Sequence, residues 1–471
     1  SRLGEVPLRC GRVCRGYPVA AESGEGYSAA VTPVVTYTII ALNVLVYLVT
    51  SAGSGFVASS AEWIARLGFV PAEAFASFPE AVVKALTAMF THADIFHIFF
   101  NMYFLYIFGR AIERALGHLR YIILYVASGF AAIAFHTVYS AVLSPGFLAV
   151  PSVGASGAIS GVLGAYMLLY PGSRLAACFW LFLLPLCYEL YAVYYLLFWF
   201  AIQVLEGYMA FGAGVAFFAH AGGFVAGIAL LPLIADRERL TMLRIYARAR
   251  SLFGFIYFLP APRRGLSSTA KLIYSLLAVG LLIGSALSFQ ALREGFSLAS
   301  YDARLAAPTA QGSIEVSDKL LVLVDTARGA THVFEEPTGT ITLRAFAASF
   351  NERGPGFYND NLRGRTITLD KPVILRATVP YTVFRDVQVF ILVRSIQASY
   401  DTNGFLRELH ASLQVDAQGL FHRYVDLSLW LASVSEPASA LRATAALAVL
   451  ITLMSLYVVN VLDRELVITP D

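Results

Sequence analysis

The sequence predicts an all-α polytopic membrane protein of eight spans, with an extracytoplasmic β-rich, sandwich-like domain inserted between the last two. Three observations predict it. Hydrophobic residues make up 58% of the 471-residue chain and charged residues 14%, with a mean hydropathy of +0.67; a soluble globular protein carries roughly 25% charged residues. Apolar stretches recur that approach or reach the ~20 residues a helix needs to cross a bilayer. One long segment, 297–437, breaks that pattern with polar, alternating runs between turn signals.

Residues 1–32 read as a flexible cytoplasmic leader. They are polar, bear Arg2, Arg9, Arg12 and Arg15, and lack the apolar region of a signal peptide. A six-span core occupies 33–235. Its first span is Pro33–Ser51, followed by a loop of intermediate polarity to about Lys84. The second runs from Ile95 to Ile112, with Arg110, Glu113, Arg114 and Arg120 marking its far end. The third is Tyr121–Val142 and the short fourth Ser156–Tyr170. From Leu175 an apolar stretch broken by Pro185 and Glu189 reads as a partly embedded connection to the fifth span, Tyr191–Tyr208. Phe217–Ile234 is the sixth.

A basic linker, 236–271, follows, then a seventh span in 272–293 and an eighth in 440–463, with a tail at 464–471. The inserted segment holds the strand-like runs Lys319–Thr326, Gly339–Phe346, Lys371–Val379, Val387–Val393 and Tyr424–Leu431. Arginines in short loops mark the cytoplasmic face. They place the leader, linker and tail on the cytoplasmic side of the cell membrane, and the β-rich domain and the starts of spans two, four and six outside.

A net charge of +3 gives no reason to expect a nucleic-acid partner. The basic linker suits topology and contact with anionic membrane lipids. Four cysteines (Cys10, Cys14, Cys178, Cys187) do not form a disulfide framework, and Cys10 with Cys14 supplies at most half a zinc site. No metal or cofactor is expected.

The chemistry concentrates in spans two, four and six. Polar residues at membrane depth are costly and are functional candidates by default. Span two carries His97 and Asn101, four apart and so on one helix face. Span four opens with Ser156 and span six with His220. Span four covers roughly 22 Å, against a hydrocarbon core of about 30 Å, so its start is submerged beneath the outer surface. Gly157 and Gly161 in span four, and Gly223 and Gly227 in span six, allow the close backbone approach that brings a short serine to an imidazole.

Taken singly, Ser156 would be a helix cap, His220 a hydrogen-bonded interior histidine, and His97 and Asn101 helix-packing groups. Together they read as nucleophile, base and oxyanion donors, with backbone amides near Gly154 and Ser156 completing the hole. No acidic third member stands out, so the reading is a Ser–His dyad. His136 reads as a packing or interfacial histidine, and His92 as a residue that caps or orients span two. A zinc protease would need His-Glu-x-x-His and an aspartyl type two intramembrane aspartates, and neither pattern occurs. Nor do the paired broken spans of a transporter stand out.

His97-x-x-x-Asn101-Met102, Gly154-x-Ser156-Gly157 and Ala219-His220-x-x-Gly223-x-x-x-Gly227 resemble the rhomboid intramembrane serine proteases, in order and over about residues 33–234. Phe108 to Glu113, followed by Gly117, is similar to the family's second span and loop. The resemblance implies a six-helix core with Ser156 as nucleophile, His220 as general base, and His97, Asn101 and amides near Gly154 and Ser156 as oxyanion hole. It implies transmembrane helices as substrates, cut near their ends where the backbone unwinds. The alternative is a catalytically weak rhomboid-like protein that binds membrane clients. Two features depart from the family. Ser160 stands where some members place an aromatic against the catalytic histidine, and Trp63 with nearby Arg66 replaces a Trp-Arg pair. The domain at 297–437 lies outside the resemblance and would recruit a protein partner or shield the site.

Overall fold

The computed structural model describes residues 31–469, apart from 76–77, 144–147, 149, 182–183, 210–215, 255–264, 292–295, 310–311, 326–329, 335–339, 370–371, 383–384 and 417–421. The predicted leader, with Cys10 and Cys14, lies outside the described residues.

The first half comprises α1 (Val34–Ser51), α2 (Ala61–Leu67), α3 (Phe78–Ala88), α4 (Ile95–Phe104), α5 (Arg110–Leu116), α6 (His118–Leu143), α7 (Ser156–Leu169), strands β1 (Arg174–Leu181) and β2 (Leu184–Tyr191), α8 (Ala192–Met209) and α9 (Phe217–Ile234). A π-helical turn at Leu105–Gly109 joins α4 to α5. Seven helices among the described residues are long and apolar enough to cross a membrane. The helix α7 has 14 residues and is not among them; at ~1.5 Å per residue it covers about 21 Å. Helix α9 is central, with α6, α7 and α8 packed on it and Ala221 to Ala229 buried.

A carboxylate sets how α1 enters this bundle. Glu113, fully buried in α5, accepts hydrogen bonds from the Val35 amide (2.9 Å), the Thr36 amide (2.7 Å) and the Thr36 hydroxyl (2.6 Å). Those amides belong to the first turn of α1, where N–H groups have no intrahelical partner and the helix dipole favours an anion. Glu113 also meets His118 Nδ1 at 2.6 Å, at the start of α6. One side chain therefore joins three helices.

The second half adds α10 (Arg237–Gly254), α11 (Ser268–Ala291), strands β3 (Phe296–Thr309), β4 (Gly312–Asp325) and β5 (Ala330–Phe334), α12 (Ile341–Arg353), strands β6 (Thr366–Leu369), β7 (Val373–Thr382), β8 (Arg385–Tyr400), β9 (Leu406–Asp416) and β10 (His422–Ser435), then α13 (Ala438–Tyr457) and α14 (Asp463–Leu466). Helices α11 and α13 pack on each other and on the core, α11 against α6 and α8, α13 against α6 and α9. Tyr139 and Tyr208 donate to the carbonyls of Leu281 (2.6 Å) and Gly280 (2.8 Å) in α11. At the opposite, arginine-rich end, the Ile468 amide donates to the Leu169 carbonyl at 2.7 Å and the Gly172 amide to the Thr469 carbonyl at 3.0 Å. The chain's last described residues thus close over the end of α7.

Five expectations change. The segment Gly339–Phe346 was expected as a strand, but it opens α12. Its apolar residues alternate over six positions, yet the large apolar side chains it buries, Leu343, Phe346 and Phe350, fall at helical spacing. The β-rich region is not a sandwich. It is one antiparallel sheet, ordered β5-β4-β3-β10-β9-β8-β6 with β7 also on β8. Residues such as Tyr301, Val322, Leu409 and Leu427 share one apolar face with α12; the other face shows Gln397, His410 and the Arg304–Glu315 pair to solvent. No second sheet covers that face among the described residues.

The basic linker is helical over α10. Asp236 caps it by accepting from the amides of Glu238 (3.0 Å) and Arg239 (3.2 Å), and Leu240 and Leu243 bury against the core. Its arginines serve protein contacts: Arg239 donates to the Arg114 carbonyl at 2.6 Å and Arg244 to the Val467 carbonyl at 2.8 Å. Finally, the supposed connection after span four is a β1–β2 hairpin, and the supposed loop after span one holds α2 and α3.

The sheet docks on the bundle at the end away from the arginines. Leu298, Leu321 and Leu323 of β3 and β4 pack with Val70, Ala72, Ala141, Leu148 and Leu441. Leu148 belongs to the segment that leads into α7.

Glu113→Ala should destabilise the protein by about 3 kcal/mol or more, since it strands the buried Thr36 amide and hydroxyl and the part-buried Val35 amide. Unfolding in mixed detergent, followed by helical circular dichroism, measures it. A loss under about 1 kcal/mol would show that Glu113 does not organise the three helices.

Candidate active site

The site is built where α7 and α9 touch backbone to backbone. An added Cβ at Gly223 would overlap the Gly157 carbonyl, and one at Gly227 the Gly161 carbonyl. Glycine is the residue these positions admit. Ser156 is the first residue of α7, and His220 lies in the first turn of α9. Their side chains meet with Ser156 Oγ 2.8 Å from His220 Nε2.

The other ring nitrogen of His220 is also engaged. His220 Nδ1 lies 2.8 Å from Gln203 Oε1 on α8. Gln203 is buried. It was missed because a glutamine in an apolar span reads as helix-packing glue, and nothing in the sequence places 203 opposite 220. The Trp199 ring, one turn earlier on α8, stands 6.1 Å from the His220 ring, centroid to centroid. So an aromatic does flank the histidine although position 160 is serine. Ser160 instead donates to the Ser156 carbonyl at 2.6 Å.

His97 and Asn101 lie on α4, whose start is capped by Asp94 accepting from the amides of Phe96 and His97, both at 2.9 Å. The Ala93 amide approaches His97 Nδ1 at 3.5 Å, which leaves Nε2 as the ring's N–H donor. That Nε2 faces the loop before Ser156. Gly154 has φ +118°, and a Cβ there would fall 2.6 Å from His97 Nε2, so glycine is required both for the turn and for the imidazole. Asn101 Nδ2 donates to the His97 carbonyl at 2.8 Å and keeps one N–H free.

One expected donor is spent elsewhere. The Gly154 amide donates to the Ala88 carbonyl at 2.9 Å and so fixes the loop to α3. The available backbone donor is the Ser156 amide, in the first turn of α7 where helix N–H groups are unpartnered. His92, buried before α4, accepts from the Ala155 amide at 3.5 Å and stacks edge-on with His97, ring centroids 5.0 Å apart. It therefore braces the loop before Ser156 as well as span two. Burial and the neighbouring His97 lower its pKa to about 3, so it stays neutral.

A cavity of about 630 Å³ joins these groups. Ser156, His220, His97 and Asn101 line it with Met89, Gly129, Ala132 and His136. His136 is thus a cavity residue rather than a packing or interfacial one. Its helix α6 turns that face inward against α7 and α9. Trp63 and Arg66 pair beside the core, the guanidinium 5.7 Å from the ring centroid. No group of three metal-ligating side chains is assembled among the described residues.

Residues 79–237 match the family model of the rhomboid domain. That segment is a rhomboid domain. Relatives match parts of the chain as well. RHOMBOID-like protein 6, mitochondrial, of Arabidopsis thaliana is 34% identical over 148 residues, 31% of this chain and 42% of that protein. Rhomboid protease GluP of Bacillus subtilis is 32% identical over 142 residues, 30% and 26% of the two chains. Inactive rhomboid protein 1 of Drosophila melanogaster is 34% identical over 91 residues, 19% of this chain and 6% of that protein. The chain spans less than half the length of each of these relatives. With its membrane-length helices, the rhomboid domain makes this a multi-pass membrane protein. The segment beyond residue 237 lies outside the family match.

Gly227→Val should force α9 away from α7. Overpacking of this kind costs roughly 1–3 kcal/mol, and the lost Ser156–His220 contact should slow covalent labelling of Ser156 by a fluorophosphonate at least tenfold (a rough lower bound on the loss of general-base help). Labelling at the unsubstituted rate would show that the close approach is dispensable.

Proposed function

We propose that this protein is an intramembrane serine endopeptidase that hydrolyses peptide bonds in or near the transmembrane helices of other membrane proteins. The carrying observation is the 2.8 Å contact between Ser156 Oγ and His220 Nε2 inside a cavity at the start of a short helix. Nucleophile and base at this distance meet the geometric requirement for activating a serine.

The reaction follows from the groups present. Ser156 Oγ attacks the scissile carbonyl carbon while His220 Nε2 takes its proton. The carbonyl oxygen gains the negative charge, facing the His97 Nε2–H, the free N–H of Asn101 and the Ser156 amide. His220 then gives its proton to the leaving amine as the C–N bond breaks, which leaves an acyl ester on Ser156. Water, deprotonated by His220, attacks that ester and releases the acid and the free serine. Substrate backbone must be unwound to enter, since a helical peptide carbonyl is already hydrogen-bonded.

The arginine-rich end, with the leader, α10 and the tail, is assigned to the cytoplasm, and the sheet and the cavity mouth to the outside. The cell membrane is the proposed location. Packing of Leu298, Leu321 and Leu323 near the loop that leads into Ser156 supports a part for the sheet in presenting protein substrates. A second reading, a catalytically weak rhomboid that holds membrane clients, draws on the Drosophila relative whose name calls it inactive. The Ser156–His220 contact favours the protease.

Ser156→Ala and His220→Ala should each abolish cleavage of a model single-span substrate in liposomes, by roughly 10³-fold or more, with unfolding midpoints unchanged. Cleavage that persists in Ser156→Ala sinks the mechanism. No cleavage by the unsubstituted protein of any tested single-span substrate, with client binding retained, selects the second reading. Leu321→Asp combined with Leu323→Asp should loosen the sheet and slow cleavage of substrates with a folded outer domain more than of bare helices. Equal slowing of both would remove the sheet from substrate presentation.

A further inference from the structure

We propose that Gln203 is a positioning residue that makes the site a Ser156–His220–Gln203 triad, holding His220 in the tautomer that can accept the serine proton. The inference rests on the protease reading above and adds a residue that reading did not use.

To act as base, His220 must present a lone pair at Nε2, the nitrogen 2.8 Å from Ser156 Oγ. In neutral imidazole that puts the proton on Nδ1. Solvated, the two tautomers interconvert, and the one with Nε2–H is inert toward serine. Here Nδ1 lies 2.8 Å from Gln203 Oε1, and an amide oxygen only accepts. The contact therefore selects Nδ1–H. It also supports the imidazolium that forms during attack, when Nδ1–H becomes a stronger donor. A neutral amide gives less of this than a carboxylate would, but it does not bury a formal charge in the membrane, where an unpaired charge is costly. Asparagine plays the comparable part in the Cys-His-Asn arrangement.

The surroundings of Gln203 fit orientation rather than mere filling. Gln203 and Trp199 are four apart on α8, so one face of that helix gives His220 both a hydrogen-bond acceptor and a neighbouring ring. The helix is held from behind. Phe200 stacks on Tyr274 of α11, centroids 5.8 Å apart, and Tyr208 donates to the Gly280 carbonyl at 2.8 Å. A glutamine that is 6% exposed loses its rotamer freedom at a cost, and its oxygen finds a partner in His220.

The test uses the full chain in detergent, with a fluorophosphonate as probe of Ser156 and a single-span peptide as substrate. Gln203→Met keeps the length and removes the acceptor. Its labelling rate and kcat should fall about 10- to 100-fold, part of the roughly 10²–10⁴-fold that general-base catalysis contributes, with KM nearly constant and the unfolding midpoint retained. Gln203→Glu keeps an acceptor and adds charge. It should restore labelling and move the acid limb of the pH–rate profile to higher pH, because a carboxylate at Nδ1 stabilises the protonated ring and raises its pKa. A residue that only packs α8 would leave labelling and kcat unchanged in Gln203→Met, which keeps the packing. Normal labelling and an unmoved profile in Gln203→Met overturn the triad alone. Absence of labelling in the unsubstituted protein overturns the serine-protease reading, and the triad with it.

Discussion

The contact of α7 with α9 through glycine is the constraint on which the site depends. A serine side chain is short, and its oxygen reaches an imidazole on another helix only if the two backbones nearly touch. Gly223 over the Gly157 carbonyl and Gly227 over the Gly161 carbonyl achieve this. In lipid there is little hydrophobic drive between helices, so close backbone packing is itself the cohesive term. The same feature that binds the helices therefore sets the Ser156–His220 distance. The brevity of α7 follows from this arrangement: a longer helix would carry Ser156 up to the surface, away from the cavity that His97 and Asn101 line.

Around that contact, the bundle is fixed at its two ends, by buried polar groups at one and by apolar packing at the other. At the arginine-rich end, Glu113 ties α1, α5 and α6. The buried carboxylate of Asp463 does similar work for the added spans. It accepts from the Leu266 amide at 2.8 Å and pairs with Lys271 at 2.8 Å. Leaving either carboxylate without its partners would strand a buried charge, which is far costlier than losing a surface ion pair. At the other end the sheet contributes leucines to the rim, so the two ends are held by different forces.

Much of this was legible beforehand, for reasons that can be stated. Span positions follow from apolar length, and the sixth coincided with α9, Phe217–Ile234. Ser156, His220, His97 and Asn101 stood out because a polar group within an apolar run requires an explanation. Gly339–Phe346 did not reveal itself because alternation over six residues fits a strand and a helix equally well until Phe350 is counted. The sandwich failed for a related reason: alternating strands show that one face is covered but not by what. Gln203 was hidden because its partner is 17 residues away, across the α8–α9 connection, and Gly154 because a glycine before a nucleophile looks like an amide donor until its amide is found on Ala88.

The support of the histidine carries a consequence for the parts outside the family match. Both groups that flank His220, Gln203 and Trp199, belong to α8, and α8 leans on α11 through Phe200–Tyr274 and Tyr208–Gly280. Helix α11 leads within a few residues into β3, whose Leu298 packs at the rim beside Leu148. A tilt of α8 of even a fraction of an ångström lengthens a 2.8 Å hydrogen bond measurably, since such bonds weaken steeply with distance and angle. The seventh span is therefore more than an extra anchor. It is the wall against which the helix carrying Gln203 and Trp199 is registered, and the sheet is attached to both that wall and the loop that leads into Ser156. An appended domain placed in this way bears from two sides on the elements that bring Ser156 and His220 together.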